Sequence, residues 1–394
     1  MSIDIHGDVV TLLQQLIDVE SVSGNETELA DAVEAALRAL GPLTVTRNGD
    51  TVIARTDLGR PQRVILAGHL DTVPLAAGSL PARIETTPDA PAQDGTGAGT
   101  AGSHDPRRIH GRGACDMKAG DAVFLSVAAE LTAQIEAGTP PPVDVTWVFY
   151  DNEEVEDAKN GLGRVVRENP ELLTGDFAIL GEPSNAGIEG GCQGTLRVRL
   201  TAHGIAAHSA RAWKGDNAIH RLGPVLTRLA AHQPRTVTVD GLDYREGLNA
   251  VGITGGIATN VIPDTASVEV NLRYAPDRSP DEAVAFLTSA LGLDDGGLTD
   301  LGLTMEITDH AVAARPGLDI PIAAEFLAAA GGQASAKYGW TDVARFAALG
   351  VPAVNFGPGD PSLAHTDDEW CPAADVYRCR EILLRWLSPV GSGA

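Results

Sequence analysis

Val64-Ile65-Leu66-Ala67-Gly68-His69-Leu70-Asp71-Thr72-Val73-Pro74 opens as an unbroken apolar run and ends in a His-x-Asp pair. Continuous rather than alternating apolar character reads as a strand buried on both faces, the kind found in α/β layer folds. Three other stretches repeat the pattern. Val143–Tyr150 runs into Asp151-Asn152-Glu153-Glu154, Phe177–Leu180 into Gly181-Glu182-Pro183-Ser184, and Val351–Phe356 into a loop that reaches Ala364-His365-Thr366-Asp367. In open α/β sheets ligands bind beyond the carboxyl ends of the strands. Four strands are therefore expected to deliver polar residues to one edge. A fifth motif, Gly111-Arg112-Gly113-Ala114-Cys115-Asp116-Met117-Lys118, places Asp116 just before an Ala-rich helical stretch, Ala119–Ala137, whose start it could cap.

Further out, Val9–Asp18 and Thr27–Leu40 read as amphipathic helices, and Leu43–Arg47 and Thr51–Arg55 as short strands. From Thr195 to Thr308 the pattern changes. Thr195–Ala202 and Ser267–Tyr274 alternate like half-exposed strands. Arg235–Val239, Ala250–Gly255 and Leu303–Thr308 are strand-like, and Asn217–Ala231 and Asp281–Leu291 are helical. That order suggests an α+β insert of ferredoxin-like type. His365 returns to the first site, so the expected arrangement is a first domain in two parts, 1–193 and 309–394, with an insert at 194–308. The fold class expected is α/β, a central mixed sheet flanked by helices, with the α+β unit inserted.

The chain has 394 residues, long enough for two domains, and 43% of them are hydrophobic. Acidic residues outnumber basic ones 53 to 29, for a formal charge of −24. Such a surface repels nucleic acid and anionic membranes. The N-terminal residues lack a basic stretch followed by an apolar core, so no signal peptide is read, and no apolar run approaches a membrane span. The four cysteines form no C-x-x-C pair, which suits a reduced cytoplasmic protein. Cys115 adjoins Asp116 but has no activating partner in sequence, so it makes a poor nucleophile. The stretch Ala90–Asp105 contains a literal G-x-G-x-x-G, Gly97 to Gly102. No strand leads into it and no helix out of it, so it fails as a dinucleotide site.

His69, Asp71, Asp116, Glu153, Glu154, Glu182 and His365 remain as the chemical set. Imidazoles and carboxylates without thiolates suit a pair of divalent cations such as Zn²⁺. Asp116 has two oxygens and could bridge ions about 3.5–4 Å apart. Glu153 and Glu154 are adjacent, so their side chains diverge; one can bind metal while the other faces a water as general base. Taken alone, an H-x-D pair is usually a surface turn and a Glu-Glu pair a solvated face. The apolar strands that precede them argue otherwise. His208, in Ala207-His208-Ser209-Ala210-Arg211, would on its own be read as structural. A metal-binding protein without catalysis is the reading from another class, and the intact Glu153 argues against it.

Taken together these motifs resemble the co-catalytic zinc metallopeptidase family of carboxypeptidases, aminoacylases and amino-acid deacetylases, from Leu12 to Leu387. A finer likeness is carried by Asn160-Gly161-Leu162-Gly163-Arg164, Gly191-Cys192-Gln193-Gly194-Thr195-Leu196-Arg197, Lys337-Tyr338-Gly339-Trp340-Thr341-Asp342 and Asn355-Phe356-Gly357-Pro358-Gly359-Asp360-Pro361. It points to the branch that removes a dicarboxylic acyl group from a diamino acid. A sister deacylase or dipeptidase with the same metals is the near alternative.

The resemblance implies two Zn²⁺, with Co²⁺ or Mn²⁺ possible at one position. His69 and Glu182 would hold one ion, Glu154 and His365 the other, with Asp116 bridging. It further implies that Glu153 is the general base and then acid, that Asp71 orients His69, and that the Asp116–Met117 peptide is cis. The insert would serve as lid and homodimer surface, and His208 would reach the partner's site. For a small anionic substrate, Arg211, Asn260, Arg273, Gly339 and Thr341 would be the contacts. Related enzymes carry a Gly-Thr-Ser-Asp-Gly type of loop where this chain has Gly339-Trp340-Thr341-Asp342-Val343, so Trp340 has no carried-over role.

Overall fold

The structure, a computed structural model, describes residues 2–86 and 105–389. The chain divides into two compact units. One comprises Met1–Gly190, Gly317–Ser335 and Arg345–Ala394, the other Gly191–Pro316 and Ala336–Ala344. The second unit thus runs past Thr308 to Pro316 and takes in a short return segment that contains Gly339 and Thr341. Most of the Gly-rich stretch 90–105 lies outside the described residues; Asp105 at its end pairs with Arg107 at 2.7 Å. Among the described residues no helix is long and apolar enough to cross a membrane.

The first unit is built on an eight-stranded mixed sheet, in the order Thr44–Asn48, Thr51–Arg55, Asp144–Tyr150, Arg63–His69, Phe177–Leu180, Ala353–Asn355, Ile188–Gly190, Ala334–Ala336. The four strands at its centre are parallel neighbours. Asp144–Tyr150 and Phe177–Leu180 are buried at every residue, as their unbroken apolar character requires. Helix Val9–Asp18 starts on Asp8, whose side chain accepts from the Thr11 N–H, and it buries Val9, Val10, Leu12, Leu13, Leu16 and Ile17. Helix Lys118–Glu136 packs against Val9–Asp18, Ala373–Leu387 and the sheet. It is buried on nearly all sides through Thr132, which explains its small residues. Asp116 does not cap this helix. Met117 stands at the N-cap with no side-chain hydrogen bond, because the Asp116 carboxylate turns toward two histidines. A smaller antiparallel sheet joins Trp370–Pro372, Arg107–His110 and Arg83–Thr86.

The second unit contains a four-stranded antiparallel sheet in the order Gly247–Gly255, Thr265–Tyr274, Gly194–His203, Leu303–Ala311. With its two helical connections this is the strand order of a ferredoxin-like unit. After the exposed Thr265, strand Thr265–Tyr274 alternates buried and half-buried, the mark of a sheet with one face in the core. Leu222, Val225, Leu287 and Leu291 belong to the core on that face. Two local features differ from the sequence expectation. The helix expected over Asn217–Ala231 breaks at Leu222, where Pro224 has no N–H to continue the ladder. The expected strand at Arg235–Val239 is not in the main sheet; Thr236–Val239 pairs with Leu242–Arg245. Asp240 and Gly241 turn that hairpin with φ of 47° and 85°, the Asp-Gly solution to a two-residue loop.

Candidate metal centre

Arg63–His69, Asp144–Tyr150, Phe177–Leu180 and Ala353–Asn355 end on the same edge of the sheet, because they are parallel and adjacent. His69, Asp71, Glu153, Glu154, Glu182 and His365 stand at or beyond those ends. Their donor atoms gather into three sets, each within 4.8 Å internally: His69 with Asp116 and Glu182, Asp116 with Glu154 and His365, and His69 with Glu153 and Glu154. Asp116 is shared by two sets and uses different oxygens. Its Oδ1 lies 3.1 Å from His69 Nε2 and its Oδ2 3.3 Å from His365 Nε2. His365 Nε2 also lies 2.9 Å from Glu154 Oε1. The Asp116–Met117 peptide is cis.

The donor chemistry fits divalent metal. Five carboxylates and two imidazoles, with no thiolate, crowd one strand edge. The electrostatics show a site that recruits positive charge. Burial raises the Glu154 carboxyl, and the neighbouring Asp116 charge adds to the rise. Hydrogen bonds to Asp116 and Glu154 push the His365 imidazolium up to about 10. Burial alone would lower His69, but the Asp116 hydrogen bond and the charges of Asp71, Asp116 and Glu153 raise it well above the usual histidine range. The raised His69 and His365 mark an anionic surrounding that a bound cation would also satisfy.

The carboxylate of Asp71 does not serve mainly as the partner of His69. The His69 Nδ1 lies 3.0 Å from the Asp71 backbone carbonyl and 3.6 Å from its carboxylate. That carboxylate accepts from the N–H groups of Glu153 (2.9 Å) and Glu154 (3.0 Å) and from the Ser23 hydroxyl (2.7 Å). Glu26, buried, accepts from the N–H groups of Gly24 and Asn152. The turn after Asp144–Tyr150 is therefore held by residues of the N-terminal segment and by Asp71. Gly120 and Gly357 pack on the backbone of Gly181-Glu182; a Cβ at Gly120 would sit 2.2 Å from the Gly181 carbonyl oxygen. Ser23, Glu26, Gly120 and the buried Glu369 escaped the sequence reading. They act on backbone or, for Ser23, on the Asp71 carboxylate, roles that leave no periodic or motif signal. Cys115 is buried and its thiol is pushed up by burial and by Glu369, so it is no nucleophile.

The remaining residues expected in the site belong to the second unit. His208 is exposed, and its Nδ1 accepts from the Ala210 N–H at 3.0 Å. Pairing of Ala207–His208 with Val261–Ile262, and a Ser209 N–H bond to the Asn260 carbonyl, bring His208 and Asn260 onto one small ribbon. Arg211 is exposed. Arg273 is half-buried and its pKa is lowered, first by burial and then by the nearby Arg197. Gly339 is exposed and Thr341 buried, and between them Trp340 donates its Nε1–H to the Val312 carbonyl.

The sequence profile of peptidase family M20/M25/M40 matches residues 65–388. A Mycobacterium tuberculosis protein called DapE is 52% identical over 386 residues, covering 98% of this chain and 99% of its own. The Corynebacterium glutamicum succinyl-diaminopimelate desuccinylase is 44% identical over 389 residues, with 98% of each chain covered. A Staphylococcus aureus tripeptidase structure superposes with a TM-score of 0.74 over 98% of both chains at 20% identity, a likeness of fold.

Proposed function

Given that this chain belongs to peptidase family M20/M25/M40, a family of hydrolytic, metal-dependent enzymes, we propose that it is a dizinc amidohydrolase that cleaves N-succinyl-LL-2,6-diaminopimelate to succinate and LL-2,6-diaminopimelate. The observation that carries the dimetal part is Asp116, whose two oxygens face two histidines in two donor sets. The choice of substrate is supported by a relative 44% identical over nearly all of both chains.

His69 and Glu182 would hold one ion and Glu154 and His365 the other, with Asp116 contributing to both. When bound, two divalent cations acidify a water and neutralise developing negative charge. Glu153 takes the proton from the attacking water and passes it to the departing amine. Its carboxylate stands within 4.8 Å of donor atoms of His69 and Glu154, close enough to reach a water held between them. Asp71 fixes the backbone of Glu153 and Glu154, and its carbonyl sets the His69 ring. Arg211, Asn260, Arg273, Gly339 and Thr341 bind the substrate's carboxylates and amide. Arg273 and Arg197, with Asp309 paired to Arg197, leave a net positive spot on a chain of net charge −24, which suits an anionic ligand.

The enzyme works as a homodimer through the second unit, with His208 supplied to the partner's site to stabilise the oxyanion. Strand Gly247–Gly255 at the sheet edge supports this, with Val251 and Ile253 60% and 56% exposed. The reaction belongs to the cytoplasm, in keeping with four free cysteines. Purified protein given succinyl-diaminopimelate, acetylornithine and small dipeptides decides the substrate. Release of diaminopimelate is expected. Dipeptide turnover with no diaminopimelate formed would overturn the choice.

A further inference from the structure

Asp116 and His365 arrive at the site on two segments, Gly111–Asp116 and His365–Glu369, which continue from neighbouring strands of the small sheet. One buried carboxylate outside every donor set holds both segments. Glu369 is 3% exposed. Its Oε1 accepts from the N–H groups of Cys115 (2.9 Å) and Asp116 (3.1 Å), and its Oε2 from Gly113 N–H (3.1 Å) and Arg112 Nη1 (2.9 Å). The same Arg112 Nη1 donates to the carbonyl of Thr366 at 3.0 Å. A further tie runs from Gly111 N–H to the Glu369 carbonyl.

We propose that Glu369 and Arg112 form a positioning pair, which sets the distance between Asp116 and His365 and thereby the hold on the ion shared by Asp116, Glu154 and His365. The proposal rests on the dimetal reading. Two of that ion's three donors depend on the clamp. Only Asp116 does so in the set with His69 and Glu182, whose other two members are carried by the central sheet. His365 needs the support more than His69. Its side chain is 53% exposed against 1%, and its φ is +63°, a conformation that a non-glycine residue keeps only where its surroundings fix it. The Arg112 bond to Thr366, one residue on, is such a fixture. Glu369 suits the task because a carboxylate offers only acceptors, and four donors converge on it. An arginine suits its own because one guanidinium nitrogen carries two hydrogens held in a fixed plane, one for the carboxylate and one for the carbonyl.

The test is a titration of metal-free protein with Zn²⁺ under chelator competition, repeated with Co²⁺ by visible absorption. Wild type, Glu369→Gln, Arg112→Lys and a His365→Ala control are compared, and the melting temperature of each metal-free form is recorded. Wild type is expected to take two equivalents. Glu369→Gln turns an amide NH₂ toward backbone donors, and should keep the first equivalent while weakening the second by about 10–100-fold. Arg112→Lys retains the charge but not the fixed guanidinium plane, and should weaken the same equivalent. In both, the Co²⁺ band that fades should be the one His365→Ala removes. A purely structural role predicts a lower melting temperature with both affinities unchanged or both reduced alike, and either result overturns the proposal. Wild type taking fewer than two equivalents is a separate failure, that of the dimetal reading, and the proposal falls with it.

Discussion

Glu153 and Glu154 are neighbours in sequence to which the proposed mechanism gives opposed duties, and the division between them is testable at a single atom group. Glu153→Ala should retain both zinc equivalents and lose turnover by about 10²–10⁴-fold, the usual contribution of a positioned proton carrier. Metal analysis alongside steady-state rates checks this, and an unchanged rate would remove Glu153 from proton transfer. His365 gives a second prediction. Its imidazolium is held up to about 10 by Asp116 and Glu154, against an unfolded value near 6.5. The stability this confers on the metal-free protein is fully present below about pH 6.5 and lost as pH rises through about 10. The melting temperature of metal-free protein should therefore fall over that window, and His365→Ala should flatten the fall. Zinc affinity, which needs the neutral ring, should rise over the same window. The clustered donors His69, Glu153, Glu154 and Glu182 were legible because they follow apolar strands. Asp71 was legible as a member but not in its work: the sequence places a carboxylate near His69, but only the fold shows it accepting from Glu153, Glu154 and Ser23.

Helix Lys118–Glu136 shows how an element carries a site it does not itself compose. Gly120 lets its first turn lie against Gly181, and Glu182 is the next residue. Gly120→Ala should cost about 1–3 kcal/mol by overpacking and weaken zinc binding through Glu182. Urea denaturation and zinc titration read the two effects, and a change under about 0.5 kcal/mol with normal metal affinity would contradict the close approach. Elements with long periodic patterns were readable: Val9–Asp18 has the expected limits, and the four central strands differ from expectation only at their ends. What the sequence hid was decided by pairing. Nothing within Thr236–Val239 says that its partner is Leu242–Arg245 rather than the main sheet. Nothing within Arg107–His110 announces the small sheet that ties it to Trp370–Pro372, some 260 residues away by the numbering.

For the whole molecule, the edge strand Gly247–Gly255 supports a second copy as its partner. Replacing Val251 and Ile253 by glutamate should yield monomers that keep their zinc but lose turnover; light scattering and metal analysis check this. If His208 crosses between subunits, mixing His208→Ala with Glu153→Ala protein should restore about one quarter of wild-type turnover, from one intact site in each mixed dimer. No recovery in verified mixed dimers would count against that supply. Apolar runs give way to alternating strands near Thr195, close to the start of the second unit at Gly191, but nothing in the sequence announced that Ala336–Ala344 groups with that unit. The most direct measurement of the central claim is succinate release from N-succinyl-LL-2,6-diaminopimelate as Zn²⁺ is added back to metal-free protein. The rate should climb from near zero and level off at two equivalents per chain; full turnover by the metal-free protein would contradict it.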